Sequence, residues 1–344
     1  MTKRHVRCPN CSSLNTKRNG LRQTESGRVQ RFFCPSCRSS FTYNHQPKRG
    51  LSDRVKVDLT RTHLEGRTSM RTLAKDTGHS KTTICKAIHE VTSRCVSTVW
   101  IAQELKPQWG GYLALDGKVV RVFDWTTKHF RYTNVQRRWL HKMSLLIALD
   151  LETLDIPTHH LGDEETTIDL ILLLRELKEI NYPLKGYVSD GNRDIVRAVE
   201  LVFGPDIPHQ LCVRHFLQNL RIRFREADIT ERQYRDAKEA LYYGVRPKLL
   251  KVPNELFTYQ TVPGLPTTNQ QLENLIRYFN LRLKTINQFH DWNGAKDYCN
   301  ALTLMRRFTK FTDCRNPIKN HHAPLELAHV DIANFDYLNL KSNR

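Results

Sequence analysis

The sequence predicts an α/β protein: a mixed sheet with helices packed on it, preceded by a metal-bound ribbon and a group of short helices. Three observations predict it. Strand-length apolar runs alternate with segments of helical period from Gly110 to about Gln218. Two Cys-x-x-Cys pairs precede residue 38. Residues 51–105 carry helical periodicity interrupted by turn residues. The expected division is 1–50 for the ribbon, 51–105 for the short helices, and 106–315 for the α/β core with a helical insertion at about 216–262. A polar tail follows at 316–344 and includes His321-His322.

The ribbon is the most specific of these signals. Cys8-Pro9-Asn10-Cys11 and Cys34-Pro35-Ser36-Cys37 are two knuckles separated by 22 residues. Four thiolates from two such turns supply the closed tetrahedral shell of structural Zn²⁺, with no fifth residue to suggest an open position. Arg31-Phe32-Phe33 and Phe41-Thr42-Tyr43 read as strands of the same ribbon.

Ser69 to Ile84 has the pattern of a helix-turn-helix. Small Ala74 lets two helices approach, Gly78 permits the turn, Ser80 caps the second helix, and Ile84 with Ile88 anchors it. Lys81, Thr82, Thr83 and Lys86 are then the residues facing a DNA major groove. The same pattern also fits an ordinary helical hairpin.

In the core, Gly111 to Asp116 and Lys118 to Phe123 read as two short strands, and Lys142 to Leu149 as a third. A helix follows at Glu164 to Ile180 and a buried strand at Leu184 to Ser189. Ile195, Val196, Val199, Val202 and Phe203 mark another helix, and His209 to Val213 a last strand. Asp116 and Asp190 each end an apolar strand, so they can converge although distant in sequence. A third acid is expected from a later helix. Glu273 follows the break and capping pattern of Pro266 to Gln271 and sits beside the apolar face Leu272, Leu275, Ile276, Phe279, Leu283. Arg277, Asn280 and Lys284 share its stripe. Glu255, next to Pro253, and Glu239, among alternating charges, are weaker candidates. Taken singly, Asp116-Gly117 also reads as a hairpin turn, Asp190-Gly191 as a helix cap, and Glu273 with Arg277 as a surface ion pair.

Charge narrows the partner. Lys and Arg number 54 against 35 Asp and Glu, a net +19, which suits a polyanion. The longest apolar runs are too short for a bilayer span and the start lacks a signal-peptide core, so no membrane association is expected. Nine cysteines in such a chain read as thiols and metal ligands. The expected location is the cytoplasm, with the nucleoid.

Tyr112-Leu113-Ala114-Leu115-Asp116-Gly117, Tyr187-Val188-Ser189-Asp190-Gly191 and His209 to Phe216 resemble successive motifs of bacterial insertion-sequence and Mutator-like transposases with an Asp-Asp-Glu triad. Thr268 to Asn274 resembles the segment bearing the family's glutamate. The resemblance spans roughly residues 110–310, and Cys212-x-x-His215 is its most distinctive part. It implies a ribonuclease-H-like core in which Asp116, Asp190 and Glu273 position Mg²⁺, with Mn²⁺ as the alternative. Cleavage and joining of the ends of a DNA element follow, on double-stranded end and target DNA, by a homodimer or higher oligomer. The family's asparagine pair reads Asn269-Gln270 here, which leaves the subfamily open. Cys212 and His215 are expected to support the site; a second zinc site there lacks two obvious partners. The competing readings are a DNA-binding regulator with an inactive core and a nuclease without strand transfer.

Overall fold

The computed structural model describes residues 6–24, 27–42, 51–124, 139–163, 165–227, 230–246, 252–286, 289–314 and 316–339. The chain divides into two compact units, Met1–Asp53 and Arg54–Arg344.

In the first unit, β1 (Lys17–Thr24), β2 (Gly27–Cys34) and β3 (Ser39–Thr42) form an antiparallel sheet in that order. Phe32 stacks on Phe41 with ring centroids 5.8 Å apart, a cross-strand pair of the kind that holds a small sheet in register. Tyr43, expected on the same strand as Phe41, lies outside the described residues.

The second unit opens with α1 (Asp53–Leu64), α2 (Met70–Thr77), α3 (Lys81–Thr92) and α4 (Thr98–Leu105). Ser69 and Ser80 cap α2 and α3, each hydroxyl accepting a backbone N–H at 3.1 Å from the residue three positions on. Gly78, at φ 68°, closes α2 in the left-handed conformation that glycine adopts without a Cβ penalty. Ile84 and Ile88 are buried, which fixes α3 against its surroundings.

A five-stranded mixed sheet lies at the centre of this unit. Its strands are β4 (Tyr112–Asp124), β5 (Trp139–Asp150), β6 (Thr158–Gly162), β7 (Gly186–Ser189) and β8 (His209–Leu211), in the order β6-β5-β4-β7-β8. β5 runs antiparallel to both β4 and β6, whereas β7 runs parallel to β4 and β8 parallel to β7. Helices α5 (Thr167–Glu179) and α6 (Arg193–Phe203) supply the crossovers.

Three expectations are corrected here. The strands expected at Gly111 to Asp116 and Lys118 to Phe123 are one continuous strand: Gly117 pairs with Leu146 in mid-ladder and makes no turn. Glycine there lets a carboxylate lie over the strand, since a Cβ would stand 2.6 Å from Glu165 Oε2 and displace that side chain. The third strand before α5 is instead β6, whose Thr-His-His-Leu-Gly sequence holds one aliphatic residue and shows no alternation. The last strand ends at Leu211, and helix begins at Val213.

The pleat divides the core in two. Leu113, Leu115, Leu146, Ala148 and Tyr187 cluster with Leu170, Leu173, Leu177, Ile195 and Val199 of α5 and α6. Ala114, Leu145, Ile147, Leu149 and Val188 cluster with residues of later helices. Between β8 and those helices come α7 (Val213–Glu226), α8 (Glu231–Tyr242) and a 3₁₀ helix at Asn254–Gln260, sharing their own core of Leu217, Leu220, Phe224, Tyr234, Leu241 and Phe257. Then α9 (Gln270–Ile286) and α10 (Trp292–Phe308) cover the second sheet face through Leu272, Phe279, Leu302 and Met305. The segment expected as a polar tail holds α11 (Pro324–Leu327) and buries Leu325, Tyr337 and Leu338 in that same core. Among the described residues, no helix is long and apolar enough to cross a membrane.

Candidate active site and metal centres

Sheet register builds the site. Ala114 pairs with Val188, and Val188 with Gln210. Two residues further along each strand come Asp116, Asp190 and Cys212. Residues two apart share a face and neighbouring strands lie about 4.8 Å apart, so these three form a row on the face that carries Ala114 and Val188. The Cys212 N–H donates to Ser189 O at 2.8 Å, which carries the row past the end of β8. Asp190 sits where β7 gives way to α6. Its Oδ1 accepts the Asn192 N–H at 2.9 Å, while Asn192 itself caps α6 through the Asp194 N–H.

Helix α9 covers this face through Leu272, Leu275 and Phe279. Fully buried Asn269 fixes its start: its carbonyl accepts the Leu272 and Glu273 N–H groups, and its Oδ1 lies 3.1 Å from Cys212 Sγ. Glu273 thereby projects toward the Cys212 end of the row. Among the described residues its carboxylate falls within 4.8 Å of donor atoms of Cys212 and His215, and Asp116 and Asp190 do not join that group. Glu273 Oε2 lies 3.2 Å from Arg214 Nη1 and its Oε1 3.6 Å from His215 Nε2. Oε1 and the buried His215 Nδ1 have no hydrogen-bond partner. The ion pair of Glu273 is thus with Arg214, on α7, and Arg277 is exposed. Cys212 is the N-cap residue of α7 and His215 stands in its first turn, so a spacing of three places both on the side toward Glu273.

The electrostatics link the members. Burial, then the charges of Asp190 and Glu165, push Asp116 up to about 6, against the Gly117 N–H at 2.7 Å and nearby His215. His215 is raised, first by the neighbouring Cys212 thiol and further by the charges of Glu273 and Asp190, with burial opposing. Burial would raise the Cys212 thiol. His215 and the N–H groups of His215 and Asn269 outweigh it, leaving the thiol lowered.

Glu165 is the residue that sequence reasoning missed. It accepts the Asn192 side-chain amide at 3.2 Å, and burial with the charges of Asp190 and Asp194 raises its carboxyl. Its carboxylate lies over Gly117. An acidic residue just before capping Thr166 reads as a complement to the helix dipole. Gly117, the one residue of β4 without a side chain to block Glu165, was the available signal.

The remaining candidates lie elsewhere. Lys81, Thr82 and Lys86 are exposed on α3, Thr83 is half-buried beside its cap, and Lys284 is exposed on α9. Glu239 and Glu255 are exposed on α8 and the 3₁₀ helix. In the first unit the four cysteine sulfurs lie within 4.8 Å of one another, with Cys8 to Cys37 and Cys11 to Cys34 each at 3.6 Å. Burial opposes ionisation of Cys8, yet the N–H groups of Cys11 and Asn10 and the Ser39 hydroxyl lower it to about 6. Four converging thiols of this kind can hold a metal ion.

No protein-family profile and no curated protein matches the sequence. Among solved structures, the chain is similar to one described as "Mos1 transposase paired-end complex with left transposon end". The identity is 11%, covering 72% of this chain and 82% of that one, at a TM-score of 0.21. A likeness of that degree carries no weight for function, and the functional reading rests on the site itself.

Proposed function

We propose that the chain is a metal-dependent DNA transposase that binds the ends of a DNA element, cleaves them and joins them to target DNA. One observation carries the reading: Asp116 on β4 and Asp190 just past the end of its parallel neighbour β7 follow the paired residues Ala114 and Val188 by two positions each, on the sheet face covered by the helix that bears Glu273. Asp116, Asp190 and Glu273 would hold Mg²⁺ or Mn²⁺, which supplies activation of the attacking oxygen and neutralisation of the leaving one. The donor set fits such a hard cation, being carboxylate oxygens of which Asp116 is raised by burial and by the charges of Asp190 and Glu165. Arg214 holds Glu273 in place through Oε2. Exposed Arg277 and Lys284 continue the Glu273 stripe as contacts for the phosphodiester backbone. The fold so described is read as ribonuclease-H-like, with β4, β7 and α9 carrying the acids.

DNA recognition is assigned to residues 1–105. In this reading α2 and α3 are a helix-turn-helix that presents Lys81, Thr82, Thr83 and Lys86 to the major groove. The ribbon cysteines Cys8, Cys11, Cys34 and Cys37 bind one structural Zn²⁺. Purified protein is expected to contain about one zinc, and Cys34→Ser to lose it together with the ribbon fold. A metal-free preparation with an intact ribbon would refute the zinc assignment.

The deciding experiment is single-turnover cleavage in Mg²⁺ of labelled DNA taken from either side of the reading frame, where the inverted repeats of an element would lie. Asp116→Asn, Asp190→Asn and Glu273→Gln are each expected to slow cleavage and joining on the order of a thousand-fold or more, with folding and end binding retained. Glu255→Gln is expected to cleave normally. Binding of ends without cleavage by the unaltered chain would favour the regulator reading, and cleavage without joining the nuclease reading.

A further inference from the structure

We infer that Cys212, His215 and Glu273 form a second metal centre, suited to a borderline-soft divalent cation such as Zn²⁺ and sharing Glu273 with the proposed Mg²⁺ site. The site itself does not depend on the proposed function; only its consequence for cleavage does.

The donor atoms of the three residues lie within 4.8 Å of one another. Around tetrahedral zinc, with bonds of about 2.0–2.3 Å, donors stand roughly 3.4–3.8 Å apart. His215 Nε2 and Glu273 Oε1 are already 3.6 Å apart, too far for a hydrogen bond and close to that edge length. Oε1 is buried without a partner, while Arg214 occupies the other oxygen and so orients the carboxylate toward His215.

Asn269 provides an independent sign. Its side chain is fully buried, its Oδ1 faces the Cys212 sulfur at 3.1 Å, and its Nδ2 has no hydrogen-bond partner. Oxygen and nitrogen of a side-chain amide are nearly isosteric. Turned over, the amide donates an N–H to Cys212, which is what a metal-bound thiolate accepts, and the orphaned nitrogen is satisfied in the same motion.

The donor chemistry selects the ion. A thiolate, an imidazole and a carboxylate carry two negative charges, so a dication leaves a neutral cluster, as a half-buried place requires. Sulfur favours zinc over Mg²⁺, which demands six oxygens. Three protein donors leave a fourth position for water. Occupancy commits Glu273 to the Cys-His pair, withdrawing it from the row formed by Asp116 and Asp190. In the proposed transposase, excess Zn²⁺ therefore lowers Mg²⁺-driven cleavage.

The test uses the full chain with its ribbon first filled by one equivalent of Zn²⁺, then titrated with Co²⁺ and followed by absorption. A further equivalent should bind with a thiolate-to-cobalt charge-transfer band. Cys212→Ser should abolish that band, and His215→Gln and Glu273→Gln should weaken binding about ten-fold or more. Because Cys212 is fully buried, the His215 and Glu273 variants decide the matter if the Cys212 variant does not fold. Saturation after the ribbon equivalent, or Co²⁺ affinity unchanged in both His215→Gln and Glu273→Gln, overturns the site. In a parallel cleavage assay, Zn²⁺ beyond the ribbon equivalent should inhibit. Absence of cleavage at every Zn²⁺ level counts against the proposed function alone and leaves the Co²⁺ titration to decide the site.

Discussion

Two groups of acids lie at the central sheet, one buried and the other half-buried or exposed, and they are built on opposite principles. Near the start of β4, every acid is matched. Asp155 accepts Trp109 Nε1 at 2.9 Å and a bidentate Arg307, Nε at 2.8 Å and Nη2 at 2.7 Å, with both side chains of the pair fully buried. Asp150 accepts the Gly111 N–H, the Tyr182 hydroxyl at 2.7 Å, and both the N–H and the hydroxyl of Thr153 at 2.8 Å. Further along β4, Asp116 and Glu165 are raised by burial and by the charge of Asp190, and Glu273 keeps one oxygen without a hydrogen-bond partner. Acids whose charges oppose one another at a half-buried place fit a cation supplied from outside the chain. The first group is structure; the second is a binding site by the same accounting.

The sharpest way to break the comparison is to unmatch the matched group. Arg307→Leu removes the cation paired with Asp155 and, among the described residues, leaves its buried carboxylate with the Trp109 hydrogen bond. Stability should fall by about 3–5 kcal/mol, read as a lower urea midpoint at unchanged slope. A loss below about 1 kcal/mol would mean that this pair is not the structural element described.

The converse holds at the other group. Asp116→Asn keeps the oxygen that accepts the Gly117 N–H and removes the charge, so the chain with metal chelated should become more stable at pH 7. Burial raises the folded pKa from 3.8 to about 6. The charge therefore costs nothing below the unfolded value, begins to cost as pH rises past it, and costs in full above about 6. Allowing for partial exposure, the gain at pH 7 is on the order of 1–3 kcal/mol and should vanish toward pH 3.5. Urea titrations of both proteins at the two pH values check it; equal stability at pH 7 would remove the electrostatic argument for the site.

The same contrast explains what was legible in the sequence. The ribbon cysteines, the capped pair α2 and α3, and the apolar faces of α6 and α9 were readable because each depends on local spacing or on periodicity within one element. Asp190 does follow the end of β7, but Asp116, expected at a strand end, lies within β4, and their alignment is a property of the β4–β7 register, which no local pattern encodes. Gly117 was misread as a break because glycine signals a turn locally, whereas here it clears space for a carboxylate 48 residues away in sequence. Glu165 was missed for the complementary reason: its neighbours come from α6 and β4, not from its own helix. For Cys212 and His215 two further ligands were sought, and the single one found arrives from α9 across the insertion. The C-terminal segment looked polar because few of its residues are buried, yet Leu325, Tyr337 and Leu338 suffice to dock it.

The central claim is that the unmatched acids form a divalent-cation site and the matched ones do not. Mn²⁺ binding to the full chain, with its ribbon zinc in place, tests it most directly, by calorimetry or by loss of the free-ion electron-spin signal. The unaltered protein should bind Mn²⁺. Asp116→Asn and Asp190→Asn should weaken that binding a hundred-fold or more, and Glu165→Gln about ten-fold, a change of about 1.4 kcal/mol. Mn²⁺ affinity unchanged in Asp116→Asn and Asp190→Asn would contradict the account.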